Sequence, residues 1–280
     1  MQFESIAQSL TYLITLFQAN KLENPAAESH FLISQVTGIP QLELNLHLER
    51  LLTDDEIALI IQCAARRAKH EPFQYIFGES CFWGFDFLVN RDVLIPRKET
   101  ELLVERIVED NKGRRITLLD IGTGSGVIAI TIAKLCPDWM IEASDVSYNA
   151  LLIAQQNALR LNAQITFYKS DLFEVIHRRY DIIVSNPPYI PLNEYNELSP
   201  EVTKFEPQIA LLAEEEGLLY YRKILENGAE HLNPEGVIYF EIGYNQGERV
   251  RKLAEQFNYR VVDIYKDYQH FDRIVKLTLK

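Results

Sequence analysis

The 280-residue chain lacks the metal-ligand, disulfide and long apolar patterns that mark several classes of protein. Its three cysteines stand far apart with no CxxC pair, which argues against both a disulfide framework and a zinc site. The six histidines form no HxxxH pair, so we expect no bound metal. No run of about 18 apolar residues occurs, which argues against a membrane-spanning helix. We therefore expect a cytoplasmic protein in a reducing environment.

Basic residues are also scarce. Twenty-eight Lys and Arg residues stand against 40 Asp and Glu residues, which gives a net charge of −12. A partner held through its phosphates usually needs a basic face, so this balance argues against direct nucleic-acid binding, and no membrane contact is expected either. Hydrophobic residues at 47% and charged residues at 24% are ordinary for a globular protein, and the length favours two domains.

The N-terminal quarter of the chain is predicted to be helical. Apolar residues recur at helical spacing over residues 6–17, and Thr53 with Glu56 forms a capping box before another apolar stripe. We expect residues 1–71 to form a small helical-bundle domain. Residues 72–92 are dense in aromatic residues and punctuated by glycines, which predicts a β-hairpin connector to the rest of the chain.

Residues 93–280 alternate between strand and helix patterns, which predicts an α/β domain with a doubly wound, Rossmann-like sheet covered by helices on both faces. Seven strands are predicted, at 116–121, 140–144, 165–168, 180–185, 236–242, 260–265 and 273–279. The last two strands are joined by a short link, so one of them should run antiparallel. Helices are predicted at 99–109, 127–135, 148–161, 216–232 and 246–256.

A glycine turn at residues 122–126 separates the first of these strands from a helix. Glycines let the backbone turn sharply and approach a ligand closely. The spacing is GxGxG, because Val127 stands where a dinucleotide-binding fingerprint needs glycine, and the lysine of a P-loop is missing. Asp145 and Asp171 follow the next two strands, where open sheets bind ligands. Asp145 could accept hydrogen bonds from ribose hydroxyls, and Asp171 with the Leu172 N–H could bind adenine.

The sequence Asn186-Pro187-Pro188-Tyr189 follows the apolar strand predicted at 180–185. The prolines fix the backbone and remove N–H groups, which leaves carbonyls free to face a substrate. Asn186 adds a side-chain acceptor, and Tyr189 adds an aromatic face. The motif resembles the (N/D)PP(Y/F) motif of methyltransferases that act on planar nitrogens, and the resemblance implies a planar NH₂ group as acceptor. Adenine, the guanine amino group and a glutamine side chain all carry one, and the motif alone does not choose among them.

Residues 120–126, with an acidic residue downstream, resemble the first motif of class I S-adenosylmethionine-dependent methyltransferases. The resemblance implies S-adenosylmethionine as cofactor, with the methionine part bound by the glycine turn, the ribose by Asp145, and the adenine by Asp171 and Leu172. The turn residues so implied are Gly122, Thr123, Gly124, Ser125 and Gly126. The implied catalytic residues are Asn186, Pro187, Pro188 and Tyr189, with an edge of Asn186 beside the cofactor.

Five further segments resemble the PrmC/HemK family: residues 94–101, 82–84, 171–173, 205–207 and 241–243. The resemblance implies methylation of the glutamine in the GGQ motif of class I peptide chain release factors, and so a protein partner. It also implies that Arg97 and Thr100 belong to the cofactor site, although Thr100 could instead cap the helix predicted at 99–109. Lys98 departs from the family pattern, which commonly has proline there.

The acidic loop at 190–206 is the expected partner-facing surface, with carboxylates at Glu194, Glu197, Glu201 and Glu206. The sequence favours release-factor methylation over three other functions. A methyltransferase acting on adenine or guanine in nucleic acid is disfavoured by the absence of a Lys/Arg-rich run. A non-catalytic binding protein is disfavoured by the presence of both cofactor and acceptor motifs. A dehydrogenase is disfavoured by the glycine spacing.

Overall fold

The computed structural model describes residues 3–280, and the chain divides into two compact units after Phe77. The first unit is helical and the second contains every β-strand described. Contacts between residues thus divide the chain into two units. The sequence favours three segments, at 1–71, 72–92 and 93–280, and this division stays a prediction. Within residues 3–280, no helix is both long and apolar enough to cross a membrane, and no cluster of potential metal ligands occurs.

Over residues 3–77 the first unit contains four α-helices and one 3₁₀ helix: α1 (Ile6–Ala19), α2 (Pro25–Thr37), the 3₁₀ helix Gln41–Leu46, α3 (Asp54–Arg67) and α4 (Phe73–Phe77). Local signals fix their ends. Thr53 and Glu56 form the predicted capping box at the start of α3, and Gly38 ends α2 in a left-handed conformation, with φ 71°. The apolar faces of the helices form one core, and Arg67 pairs with Glu28 beside it at 2.6 Å.

The second unit begins with an antiparallel hairpin, β1 (Glu79–Phe82) and β2 (Phe85–Leu88). Its main sheet comprises seven strands: β3 (Thr117–Ile121), β4 (Met140–Asp145), β5 (Thr166–Lys169), β6 (Tyr180–Ser185), β7 (Leu232–Glu241), β8 (Tyr259–Lys266) and β9 (Asp272–Leu279). Its helices are α5 (Glu99–Asp110), α6 (Val127–Leu135), α7 (Tyr148–Arg160), α8 (Leu192–Tyr195), α9 (Pro200–Phe205), α10 (Glu214–Gly217), α11 (Leu219–Gly228) and α12 (Gly247–Gln256). Short 3₁₀ helices lie at Gln208–Ala210 and Ala229–His231.

The strand order is β5-β4-β3-β6-β7-β9-β8, with apolar clusters on the two faces of the sheet. The central strands are parallel, and β9 runs antiparallel to both of its neighbours, β7 and β8. The α/β, doubly wound fold and the antiparallel strand near the C-terminus are therefore confirmed. The order reverses between β3 and β6, which is the topological switch point where such sheets bind ligands.

The helix predicted at 216–232 is wrong at both ends. Glu215, Glu216 and Gly217 all have positive φ, at 54°, 53° and 88°, so the chain turns there and α11 begins only at Leu219. A tertiary contact explains the break, because Gly217 lies against the backbone carbonyl of Tyr189. The run of glutamates before Gly217 is compatible with the first turn of a helix, so the sequence does not reveal the interruption.

Candidate functional site

The switch point brings the glycine turn and the Asn-Pro-Pro-Tyr turn together. Ile121 pairs with Ser185 at the carboxyl ends of adjacent parallel strands β3 and β6. Gly122 directly follows β3 and Asn186 directly follows β6, so both turns begin at the same edge of the sheet. Two motifs that lie about sixty residues apart in the sequence therefore meet because of the strand order.

Positive φ angles shape the glycine turn. They are 73° at Gly122, 58° at Gly124 and 85° at Gly126. A Cβ at Gly126 would lie 2.7 Å from Ile130 Cδ1, so Ile130 would have to shift, and the positive φ favours glycine there in any case. A Cβ at Gly122 or Gly124 would meet no protein atom within 4 Å, and both residues line a cavity. A side chain at either position would therefore project into space that a ligand can use.

The Asp145 carboxylate holds the same turn from the end of β4. Its Oδ2 accepts a hydrogen bond from the Gly124 N–H at 2.8 Å, and its Oδ1 accepts one from the Ser147 N–H at 2.8 Å. Burial raises the pKa of Asp145, and these backbone hydrogen bonds oppose the rise. Each oxygen keeps a further lone pair, so the carboxylate can also accept hydrogen bonds from a ligand's hydroxyl groups.

The first cavity lies at this edge of the sheet. Its empty volume is about 790 Å³, open solvent at its mouth included. Its lining includes three carboxylates and no Lys, Arg or His, and the residues relevant to a ligand are Asp92, Gly122, Gly124, Asp145, Asp171, Leu172, Asn186, Pro187 and Pro188. An acidic lining suits a ligand with a positive charge, such as a sulfonium ion, and disfavours a dinucleotide pyrophosphate. The cavity therefore fits S-adenosylmethionine better than a nicotinamide cofactor.

The loop after β5 has a strained backbone at the proposed adenine site. Leu172 has φ 50°, which is rare for a branched side chain, and the Ser170 hydroxyl donates to its carbonyl at 2.9 Å. Such strain costs on the order of 1–3 kcal/mol and concentrates at ligand sites. Asp171 is exposed and lines the cavity. The geometry places both predicted residues beside the space that a ligand would fill.

Asp120, at the end of β3, is fully buried beneath the glycine turn. Its Oδ2 accepts from the Thr123 hydroxyl at 2.6 Å, and its Oδ1 has no hydrogen-bond partner among residues 3–280. Burial raises its pKa to about 7, although the Thr123 hydrogen bond opposes this. Asp120 thus anchors the turn from below.

The Asn-Pro-Pro-Tyr turn is held by two side chains from distant parts of the sequence. The Asn186 Nδ2 donates to the Thr100 hydroxyl at 3.3 Å, and the Gln246 Nε2 donates to the Tyr189 carbonyl at 3.1 Å. Gln246 is buried, and its Oε1 accepts from the Gly243 N–H at 3.0 Å. The turn is therefore fastened to both α5 and the segment after β7.

A second cavity lies on the other side of the same turn. Asn186 and Pro187 line both cavities, whereas the second is lined in addition by Arg97, Tyr189, Ile190, Leu198, Val202, Leu211 and Glu241. Glu241 is buried, and one of its carboxylate oxygens, Oε2, has no hydrogen-bond partner within the part of the chain described. Burial raises the pKa of Glu241 to about 7. The two cavities share Asn186 and Pro187 of the motif, together with Leu94 and Ala210.

Glu206 organises the wall of the second cavity. Its Oε1 accepts from the Arg97 guanidinium at 2.5 Å, and its Oε2 accepts from the Ile95 N–H at 3.2 Å. The side chain of Glu206 is only 2% exposed. The expectation that Glu206 faces a partner is therefore wrong, because its buried carboxylate already accepts hydrogen bonds from Arg97 and from the Ile95 N–H. Glu194 and Glu197 are exposed and Glu201 is half-buried, and a partner-facing role for this loop stays a prediction.

The structure separates the predicted site residues into four groups. Around the first cavity it gathers Gly122, Gly124, Asp145, Asp171, Leu172, Asn186, Pro187 and Pro188. Thr123, Ser125 and Gly126 are buried within the turn itself. Arg97 and Tyr189 line the second cavity. Thr100 stands behind Asn186 and does not cap α5, whose N-cap is Lys98 with no side-chain hydrogen bond, so the capping interpretation is wrong.

Sequence reasoning assigned no role inside the site to three residues that support the second cavity and the turn: Glu206, Glu241 and Gln246. Only Glu241 carries a visible signal, because a carboxylate at the end of the apolar strand β7 is unusual. Glu206 ends an acidic loop and has the appearance of a surface residue. Gln246 falls in a polar stretch before α12, where nothing in the sequence marks it as buried.

Comparison with known proteins gives matches in both units. The PrmC N-terminal domain family matches residues 8–78, and the methyltransferase small domain family matches residues 97–199. The release factor glutamine methyltransferase of Lactococcus lactis is 43% identical over 84% of this chain and 87% of its own length. The enzyme of the same description from Geobacter sulfurreducens is 38% identical over 91% of this chain and 89% of its own length. A Pyrococcus furiosus methyltransferase structure, 18% identical, shares the fold with a TM-score of 0.54 over 80% of this chain and 98% of its own.

Proposed function

This chain belongs to the release factor glutamine methyltransferase family, and on that premise we propose that it methylates the glutamine of the GGQ motif in class I peptide chain release factors. The transfer breaks the S–CH₃ bond of S-adenosylmethionine and forms an N–CH₃ bond at the side-chain amide nitrogen, and it releases S-adenosylhomocysteine and one amide proton, which passes to solvent. The single observation that carries the proposal is that Asn186 and Pro187 line both cavities. A donor in one cavity and an acceptor in the other would meet at these two residues.

The first cavity is the proposed donor site. S-adenosylmethionine, when bound, supplies a methyl group made electrophilic by its sulfonium charge. Asp145 accepts hydrogen bonds from ribose, and Asp171 with Leu172 accommodates adenine. Gly122 and Gly124 leave room for the backbone to approach the methionine part. The carboxylates around the cavity stabilise the positive charge before transfer.

The acceptor amide is aligned by oxygen acceptors. An amide nitrogen is a poor nucleophile, because its lone pair is delocalised into the carbonyl group. The Asn186 carboxamide oxygen and the Pro187 carbonyl can each accept one of its N–H groups, which fixes the plane of the amide relative to the methyl donor. Alignment of this kind supplies about 7–11 kcal/mol of a barrier in favourable cases. No strong base is needed in this scheme.

Tyr189 contributes a flat surface. Burial raises the pKa of its phenol, and the nearby Glu241 carboxylate adds to the rise, so the side chain stays neutral across the physiological range. A neutral ring can pack on a planar amide, but it cannot act as a base. Pro188 follows Pro187 in the turn and keeps the backbone rigid there.

Binding of the whole folded factor supplies the positioning energy that a single glutamine lacks. Glu194 and Glu197 are exposed in the loop that follows the motif, and a basic face on the partner would suit them. A cytoplasmic location, where translation takes place, is part of this proposal. A short GGQ peptide should consequently have a much lower kcat/KM than the whole factor, and association with the factor should weaken as salt increases.

The decisive experiment offers the enzyme several acceptors at once. Enzyme and labelled S-adenosylmethionine are incubated with a release factor, with the same factor carrying a Gln→Ala change in GGQ, and with an RNA pool. We expect label in the unchanged factor alone. Label in the changed factor would show that another residue is modified. Efficient transfer to RNA would move the assignment to the amino group of adenine or guanine, which the same planar site could hold.

A further inference from the structure

The Asn186 side chain has two ends of nearly equal size and opposite hydrogen-bonding character. Its carboxamide oxygen accepts hydrogen bonds, and its NH₂ group donates them. Only the oxygen can receive an N–H of the acceptor amide. An Asn186 rotated by half a turn would present N–H groups to N–H groups and would repel the substrate. The reaction therefore requires that the orientation of this amide be fixed before the substrate arrives.

Thr100 is the residue that contacts the NH₂ end. The Asn186 Nδ2 lies 3.3 Å from the Thr100 Oγ1, and Thr100 is 3% exposed. Thr100 stands in the first turn of α5, so a helix backbone holds its position. No other donor or acceptor among residues 3–280 hydrogen bonds to the Asn186 side chain, which leaves the carboxamide oxygen available.

Glu241 determines the direction of the hydroxyl hydrogen. It lies at the end of β7 and is 1% exposed, and the nearby Thr100 side chain lowers its pKa against the larger rise caused by burial, which places the Thr100 hydroxyl beside this carboxylate. An ionised carboxylate can only accept. The Thr100 hydrogen must then point at Glu241, and the lone pairs of the hydroxyl face Asn186.

We propose that Thr100 and Glu241 are positioning residues that set the orientation of the Asn186 amide. This inference rests on the proposed function, because the orientation matters only if Asn186 receives an acceptor N–H. In this arrangement the Asn186 NH₂ group donates to the Thr100 hydroxyl, and the Thr100 hydroxyl donates to the Glu241 carboxylate. Neither Thr100 nor Glu241 touches the methyl donor in this scheme, so both act through Asn186.

The first test removes the Thr100 hydroxyl without changing its shape. Thr100→Val should lower kcat by about tenfold, on the scale of one lost hydrogen bond, while the Kd for S-adenosylmethionine and the KM for the release factor stay within about twofold. Thr100→Ser keeps the hydroxyl and should recover most of kcat. Thr131→Val is the matched control, since Thr131 is fully buried in α6 and its hydroxyl has no partner to lose among the described residues.

Each outcome of this test bears on the proposal. Unchanged kcat in Thr100→Val overturns it, as does an equal loss in Thr100→Ser, which would point to volume rather than to the hydroxyl. An equal loss in Thr131→Val would show a general effect of buried hydroxyl removal. If wild-type enzyme does not methylate the factor, the proposed function fails instead. The orientation is then still testable, because hydrogen exchange of the Asn186 side-chain NH₂, followed by NMR, should accelerate in Thr100→Val and not in Thr131→Val.

The second test removes the restriction that Glu241 imposes. A glutamine at position 241 can donate to Thr100, which frees the Thr100 hydroxyl to donate toward Asn186. Glu241→Gln should therefore lower kcat several-fold at about pH 8, where the wild-type carboxylate is ionised. An unchanged kcat would overturn the part assigned to Glu241, and a loss of cofactor binding without a loss of kcat would do the same.

The pH profile separates positioning from a merely structural role. Burial raises the pKa of Glu241 from its ordinary value to about 7, so protonation on going below about pH 7 should lower the wild-type kcat, and Glu241→Gln should lack that step. The pKa of Asp120 is also raised to about 7, so Asp120 could cause a similar step. Comparing the pH profile of the wild type with that of Glu241→Gln shows which of the two carboxylates is responsible. The charged and titratable groups that face Glu241 are Arg97, Glu99, Tyr189, Tyr221 and Arg273. A step that persists in Glu241→Gln would contradict the assignment.

Discussion

The two cavities on either side of the Asn-Pro-Pro-Tyr turn are built in different ways. The first is formed by backbone at the ends of adjacent strands, with carboxylates and no cationic side chain in its lining. The second is formed by side chains that reach across the sequence, such as Arg97 to Glu206 and Gln246 to Tyr189. A cofactor of constant shape can be held by a turn of fixed geometry. A glutamine delivered on another protein needs a wall whose side chains hold the acceptor residues in place.

This difference predicts that substitutions will separate cofactor binding from turnover. Changes on the first side should act on the Kd for S-adenosylmethionine. Changes on the second side should act on kcat while the cofactor still binds. Asn186 lines both cavities. A substitution there is therefore the strongest test of whether cofactor binding and turnover can be separated.

Asn186→Ala should have the largest effect, a loss of at least about 100-fold in kcat, the scale of removing a preorganised polar group. Cofactor affinity should change little, because only one edge of Asn186 faces the first cavity. Turnover with saturating release factor and calorimetry with S-adenosylmethionine measure the two quantities. Asn227→Ala, on the exposed face of α11, is the control. Near-normal turnover with full cofactor occupancy would remove Asn186 from the acceptor site.

Gly217→Ala should disturb the acceptor side through the backbone. A Cβ there would lie 2.2 Å from the Tyr189 carbonyl oxygen and 2.6 Å from the Gln246 Nε2, so the turn must move. Overpacking of this kind costs about 1–3 kcal/mol, to which the positive φ adds, and kcat should fall with it. Denaturant unfolding and turnover are the measurements. Gly113→Ala shares a positive φ but meets no atom within 4 Å, so it isolates backbone strain from collision. Equal effects of the two variants would contradict the steric explanation.

Asp145→Ala tests the donor side. Loss of a hydrogen bond to a charged acceptor costs about 1.5–3 kcal/mol of binding free energy, so the Kd for S-adenosylmethionine should rise about tenfold or more. The Gly124 N–H would also lose its partner, which loosens the turn. Turnover at saturating cofactor should fall less than the affinity does. Asp138→Ala, in an exposed turn, serves as the control, and an unchanged Kd in Asp145→Ala would exclude Asp145 from the ribose site.

The same difference explains how much of the site could be predicted from the sequence. The glycine turn, Asp145 and Asp171 each follow a strand directly, so strand patterns and local spacing were enough to place them. Glu206 meets Arg97 across 109 positions, and Asn186 meets Thr100 across 86. No periodicity encodes such pairs, because they arise only when the loop after β6 folds back over α5. The break in the helix predicted at 216–232 has the same origin, since it follows from the contact of Gly217 with Tyr189.

The smallest expected effect concerns Lys98, where the family commonly has proline. Lys98 has φ −63° and ψ −30°, and the Thr100 N–H bonds to the Arg97 carbonyl at 3.2 Å across it. These are the angles of the second residue of a type I turn, which proline favours. Among the residues described, no carbonyl accepts from the Lys98 N–H, so proline removes no hydrogen bond.

Lys98→Pro should therefore stabilise the protein by about 0.4–1 kcal/mol, because proline restricts the unfolded chain and the native angles already suit it. Lys98→Ala, which removes the charge without restricting the backbone, should leave the free energy of unfolding nearly unchanged. Denaturant unfolding measures both variants, and kcat and the cofactor Kd should stay at wild-type values in each. Destabilisation by proline would mean that the segment before α5 needs a backbone that proline does not allow. The position of Arg97 would then depend on its pair with Glu206 rather than on the turn that precedes the helix.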